Sequence, residues 1–336
     1  MALSDVIVTI DLIKPLGSIG FGIPLILEEN ASTAKSYTEC RNLDDIVKAG
    51  FADSTKVYKA ANTIFMQDDP PEKIAVCATT EDTSKWLTDV ANTTKNWRQL
   101  IVVTESETAI AVQTIMNTVE TLPSKLYFAD LALDDDTVFN TAEIKRTVLF
   151  YCKPTELHPS PVSALIGATA SKNAGSFTYK NMILKGIEPQ ELTETQVEAI
   201  HEKGGNTFIT KAGDNVTSEG KVAGGEFIDV IDSMDYVINN IEYQTQKLLN
   251  SSDKVPYDDN GIALLESVAV NVLKDAFNNG IIAVTDDGTP DYKVNYVKRA
   301  NTKDTDRAER NYVGGQFEFA LAGAVHAVRV IGKVNI

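Results

Sequence analysis

The chain has 336 residues, 43% of them hydrophobic and 23% charged, with a formal net charge of −16. This is the composition of a folded protein and not of a disordered one, and its length suits about two domains of roughly 150 residues. The acidic balance argues against a general nucleic-acid binder, which would carry a basic stripe.

The acid is dispersed, with short clusters at Asp134 to Asp136 and Asp286 to Asp287, which fits a soluble surface better than an acidic tail. The opening MALSDVIV has neither a basic n-region nor a signal-type apolar core. No apolar run reaches the roughly 18 residues a span needs, so no membrane insertion is expected and the chain should be made and kept in the cytoplasm. Cys40, Cys77 and Cys152 are widely spaced and form no CxxC pair; they are expected to be reduced and mostly buried.

In chain order, the first element is a period-two run in which Val6, Val8, Ile10 and Leu12 share one face of a strand. Gly17-Ser18-Ile19-Gly20-Phe21-Gly22 follows. Its spacing is GxxGxG and a strand pattern comes next, so both requirements of a dinucleotide-binding loop fail and no cofactor is expected. A joint between a terminal arm and the body fits better.

From 23 to 172 strand and helix patterns alternate. Strands are predicted at 23–27, 74–78, 99–103, 126–129 and 148–151. Helices are predicted at 54–67, 82–93, 106–120 and 141–145, with Ser54, Asp82 and Ser106 as N-caps. Such alternation predicts an α/β sandwich with a largely parallel sheet. The stretch 153–161, KPTELHPSP, reads as a linker or hinge, and Pro159 and Pro161 predict a helix over 160–170. Thr193 and Gln196 open a capped helix over 193–203, and a strand follows at 206–210.

Two long amphipathic helices, 225–250 and 260–279, are expected to form an antiparallel hairpin on a sheet made by the terminal strands. The stretch 316–336 reads as a strand, a bend at Gly323, and a second strand containing Val325, Val328, Val330 and Val334. Apolar terminal strands need cover. They pair either within their own subunit or with the sheet edge of a neighbour.

Catalytic and metal motifs do not emerge. The three histidines, His158, His201 and His326, are not in a ligand pattern with neighbours, and there is no HExxH, GxSxG or P-loop. The expected character is a structural part and not an enzyme, with no cofactor and no metal.

Several stretches together resemble the contractile tail sheath proteins of bacteriophages and phage-tail-like bacteriocins. They are Leu192-Thr193, Gly204-Gly205-Asn206-Thr207-Phe208, the run from Phe227 to Tyr236, Leu248-Leu249, Lys254 to Ile262, and Phe319 to His326. The resemblance rests on their order and spacing; it covers about 160–336, and the first half only by layout.

It implies an outer α/β sandwich domain plus an α+β core domain built from both chain termini, with extended terminal arms. The divisions would be 1–22 (arm strand and joint), 23–158 (variable outer domain), 159–312 (core sheath domain with the helical hairpin) and 313–336 (C-terminal strands and arm). It also implies hexameric rings stacked around a tail tube, with a baseplate and a tail terminator as further partners. Under that reading Val6, Val8, Ile10, Leu12, Val325, Val328, Val330 and Val334 lie in subunit-linking strands. Gly17, Gly20, Gly22, Gly314 and Gly315 would act as hinges, and Lys247, Lys254 and Lys274 would face the tube. The alternative is a cytoplasmic α/β enzyme or small-ligand-binding protein.

Overall fold

Runs that are apolar at every position, not at alternate ones, belong to strands covered on both faces. Ile74–Ala78 is of this kind, as is Thr147–Cys152 after its first residue, and each is buried along its full length. The computed structural model describes residues 22–91, 96–106, 110–135, 137–153, 160–327 and 329.

In chain order the elements are β1 (Ile23–Glu29), β2 (Lys35–Cys40), α1 (Leu43–Lys48), α2 (Lys56–Phe65), β3 (Ile74–Ala78), α3 (Thr83–Ala91) and β4 (Trp97–Thr104). Then come α4 (Val112–Glu120), β5 (Leu126–Ala132), β6 (Thr147–Cys152), α5 (Pro161–Thr169), α6 (Glu194–Glu202) and β7 (Gly205–Asn206). The last group is β8 (Phe208–Lys211), β9 (Asp214–Thr217), α7 (Ile228–Ser251), α8 (Asp259–Asn278), β10 (Tyr292–Tyr296), α9 (Asp304–Ala308) and β11 (Gly315–Phe319).

The main sheet runs β2-β3-β1-β4-β5-β6-β7, parallel throughout except for β2 at its edge. Successive strand residues point to opposite faces, so each strand feeds two cores. Ile26, Val76, Phe128 and Phe150 pack on one side with α2 and α5 residues such as Ile64 and Ile166. Leu27, Cys77, Tyr127 and Leu149 pack on the other with Leu87, Ile115, Met116 and Ile200 from α3, α4 and α6. The expected α/β sandwich with a parallel-rich sheet is therefore present.

The main core crosses the proline-containing linker. β7 pairs with β6, and one apolar cluster runs from Ile26 through Val162 and Phe208 to Ile231. A cut at 158/159 thus falls within continuous packing, because α5 covers the same sheet face as α2.

α7 spans two cores. Ile228 and Ile231 in its first turns belong to the sandwich, whereas Val237 and Ile241 pack with Ala269, Val272, Leu273 and Ala276 of α8 in a separate cluster. β10 and β11 form an antiparallel pair whose Tyr292, Val294, Tyr296, Phe317 and Phe319 lie half-buried against that cluster. The helical hairpin is as expected, but its sheet partner β10 was not predicted from sequence, since YKVNY is short and carries polar residues on its outer face.

Local capping explains most boundaries. The Thr193–Gln196 capping box is formed, and Asp82 Oδ1 accepts from the Lys85 amide. At α2 the cap is Thr55, one residue after Ser54, and at α8 it is Asp258, whose carboxylate accepts from the Asn260 and Gly261 amides. The expected helix at 106–120 is described as α4 from Val112, and the Ser106 amide donates to Thr104 Oγ1. The stretch 141–145 is a turn, and 206–210 divides into β7 and the start of the β8–β9 hairpin.

Candidate assembly surface

The site begins with what holds α7 to the sandwich. Arg98 is the second residue of β4 and Arg146 immediately precedes β6; both face the first turns of α7. There Asp232 and Asp235, three residues apart, lie on one helix face. Arg146 donates to both oxygens of Asp235 at 2.9 and 3.0 Å, and Arg98 donates to Asp235 at 2.8 Å and also to Asp232. Tyr179 donates its hydroxyl to Asp232 Oδ2 at 2.6 Å.

All of these groups are buried. Burial alone would raise the Asp235 carboxyl, but the two guanidiniums beside it outweigh that and hold it below the ordinary carboxylate range. Nearby, burial and the Arg98 charge push the Lys125 ammonium down to about 8. Buried charges persist only when paired and hydrogen-bonded. The network therefore fixes where α7 leaves the sandwich, and with it the orientation of the α7–α8 hairpin.

The β10–β11 pair is carried at the far side of that hairpin. The Val297 amide donates to Gly314 O and the Ala320 amide to Asp291 O, so within the register the inward-bonding residues are 293, 295, 316 and 318. The backbone groups of Val294, Tyr296, Gly315, Phe317 and Phe319 point outward. Among the described residues no further strand covers either edge, and the sheet has two strands. A two-stranded sheet with half-buried aromatics is a ready template for added strands.

Val6, Val8, Ile10, Leu12, Gly17, Gly20, Val328, Val330 and Val334 lie outside the described residues. Val325 is 82% exposed and in no described strand. Gly22 is tightly packed: a Cβ there would come within 2.9 Å of Arg98 Cβ, and its φ is +92°. Gly314 and Gly315 face Val297, Tyr312 and Tyr296 at 2.8 to 3.1 Å from where a Cβ would sit. Gly22 is thus set by its positive φ as well as by close approach, and Gly314 and Gly315 by close approach to side chains.

Lys247, Lys254 and Lys274 are all exposed. Lys274 sits about 22 Å along α8 from Asp259, at a rise of about 1.5 Å per residue, whereas Lys247 and Lys254 lie by the interhelical turn. They do not make one patch.

Sequence reasoning missed a more compact cationic feature. The loop joining β10 to β11 carries Lys298, Arg299, Lys303, Arg307 and Arg310, against Asp304, Asp306 and Glu309, in a chain of net charge −16. Arg307 is tied down by the Arg299 and Thr302 carbonyls and by Asp304. The other four are exposed. The signal available was the local reversal of charge sign.

Residues 228–334 match the family model described as E217 tail sheath protein gp31-like, C-terminal domain. No curated protein matches the chain by sequence. The whole fold is similar to a chain in the cryo-EM structure of the anti-feeding prophage (AFP) baseplate, at TM-score 0.70 and 13% identity, covering 100% of this chain and 99% of that one. It is also similar to chains of the AFP helical sheath in the contracted state, at 0.69 and 12% over 100% and 99%, and of the PVC extracellular contractile injection system sheath complex in the contracted state, at 0.68 and 12% over 100% and 98%. Lin1278, a sheath tail protein from Listeria innocua, gives 0.57 and 10% over 90% and 96%.

The fold is that of contractile sheath subunits. That likeness shows the fold over the whole chain, and the sequence match to a tail sheath C-terminal domain is confined to residues 228–334.

Proposed function

We propose that this chain polymerises as stacked hexameric rings around a tail tube and contracts to drive the tube through a target cell envelope. The observation that carries the reading is the β10–β11 pair, which among the described residues is open at both edges and displayed on a helical hairpin clamped to the sandwich. Strands from neighbouring copies, Val6 to Leu12 and the segment containing Val328, Val330 and Val334, would add to those edges. Main-chain hydrogen bonds would supply the affinity, and the half-buried aromatic face the register.

Contraction is then a change between two packings of the same subunits, with the energy stored at assembly and no nucleotide consumed. The augmented sheet keeps neighbours joined while the sandwich rotates. The exposed cations of the β10–β11 loop are better placed than Lys247, Lys254 and Lys274 to meet an acidic tube surface, because they form one feature beside the augmented sheet. Baseplate and terminator proteins would cap the two ends, and assembly would follow synthesis in a bacterial cytoplasm.

Electron microscopy of the purified chain tests this. Long hollow polymers are expected from the intact chain and none from a chain lacking residues 1–12. A chain that stays monomeric under all conditions, or polymerises equally well when truncated, would overturn the reading.

A further inference from the structure

The main-chain pairing of the C-terminal segment ends at Leu321 and Ala322. Leu321 bridges Ile282, the Ala322 amide donates to Ile281 O, and Gly323 turns with a φ of +59°. From Ala322 to Ala327 every residue is exposed except His326. Its Nε2 lies 2.8 Å from Thr178 Oγ1, and its ring stands edge-on to Phe227, with centroids 4.6 Å apart at an interplanar angle of 87°. The Asp229 carboxyl, raised by burial, feels the imidazole from the first turn of α7.

Leu321, Gly323 and Ala324 of the segment line a groove of about 240 Å³ together with Phe177, Thr178, Asp229 and Ser233. Its far end is thus pinned by one side chain, with no backbone ladder among the described residues.

We propose that His326 is a positioning residue for assembly: it fixes the point and direction from which the C-terminal segment leaves the subunit. This rests on the sheath reading. A strand offered to a neighbour docks more readily when its root is already ordered, because the conformational entropy of the root is then not lost at the moment of docking. The partners of His326 are a loop residue beside the sandwich, Thr178, and the two residues flanking the start of α7, Phe227 and Asp229. The segment's root is therefore registered to the helix that the buried ion network holds in place. A ring with one hydrogen-bonding nitrogen and an aromatic contact suits this, since it grips a polar and an apolar partner together.

The test reads polymer yield and melting on the unlabelled full chain, and segment motion separately on the full chain with Val325→Cys carrying a nitroxide. Cys40, Cys77 and Cys152 are buried, so labelling is selective for the exposed position. His326→Ala and Thr178→Val remove the contact from its two sides; Thr178→Val also strips a hydroxyl from the neighbourhood of Asp229. His326→Gln keeps a nitrogen donor within reach of Thr178.

We expect faster nitroxide motion and a several-fold lower polymer yield for His326→Ala and Thr178→Val, partial recovery of both for His326→Gln, and melting temperatures within roughly 2 °C of the parent. Unchanged nitroxide motion refutes the anchor. Faster motion with an unchanged polymer yield refutes the role in assembly. If His326→Ala lowers the melting temperature strongly, the decision rests on Thr178→Val, whose normal yield would refute the proposal. A parent chain that never polymerises defeats the sheath reading and the assembly role with it, while the nitroxide still decides whether His326 anchors the segment.

Discussion

Arg146 and Asp235, 89 positions apart in sequence, meet through two hydrogen bonds of 2.9 and 3.0 Å inside the protein. One residue ends the approach to a sheet strand and the other lies in the second turn of α7, so the pair joins the sandwich to the helix that carries the hairpin. Removing one partner of a buried pair leaves an uncompensated charge. Asp235→Asn should therefore cost about 3–5 kcal/mol of unfolding free energy, measurable by urea titration.

The same carboxylate gives a signed pH dependence. Asp235 titrates lower in the folded chain than the roughly 3.9 of an unfolded aspartate, so the unfolded state takes up its proton first as acid is added. Its contribution is fully present above about pH 4 and is lost as pH falls through the folded value. Urea titrations from pH 7 to 3 should show Asp235→Asn falling less steeply than the parent below about pH 4.

Edge and interior positions of β10 should respond in opposite ways to proline. The Val294 amide points outward while that of Asn295 bonds inward to β11. Val294→Pro should leave the monomer within about 1 kcal/mol of the parent but abolish polymers, whereas Asn295→Pro should destabilise the hairpin itself. Circular dichroism melts paired with sedimentation separate the two outcomes.

Reversal of charge in the β10–β11 loop isolates the tube contact from self-assembly. Lys298→Glu with Lys303→Glu and Arg310→Glu alters only exposed side chains. Polymers should still form, but co-sedimentation with an acidic tube should fall and lose its dependence on salt. Equal capture of tube by both chains would remove the loop from the contact.

The three thiols offer a check on the sandwich core. Cys40, Cys77 and Cys152 are buried, and burial pushes the Cys40 thiol up to about 11, with the nearby Asp45 charge adding to the shift. A thiol reagent at neutral pH should react with none of them in the native chain and with all three after unfolding.

Much of the local structure was legible because it depends on near neighbours. The unbroken apolar runs gave the parallel strands, Thr193 with Gln196 gave a cap, and the apolar stripes of 225–250 and 260–279 gave the helical hairpin. Apolar periodicity and capping are properties of a few adjacent residues, and they determined these elements and the α/β class. The order and spacing of the C-terminal stretches carried the resemblance to sheath proteins.

What the tertiary structure alone decided depends on partners far apart in the chain. Arg98, Arg146, Tyr179, Asp232 and Asp235 look in sequence like ordinary surface groups, and only their convergence makes them a buried clamp. Gly22, Gly314 and Gly315 read as flexible joints, and the crowding of Arg98, Tyr296, Tyr312 and Val297 around them, with the positive φ of Gly22, was not legible in the sequence. YKVNY gains its role from pairing with GQFEF across the loop from Val297 to Gly314, a separation that no local period encodes. The edges left open by that pairing are likewise a property of the fold, because whether a strand is an edge depends on which strands are absent beside it.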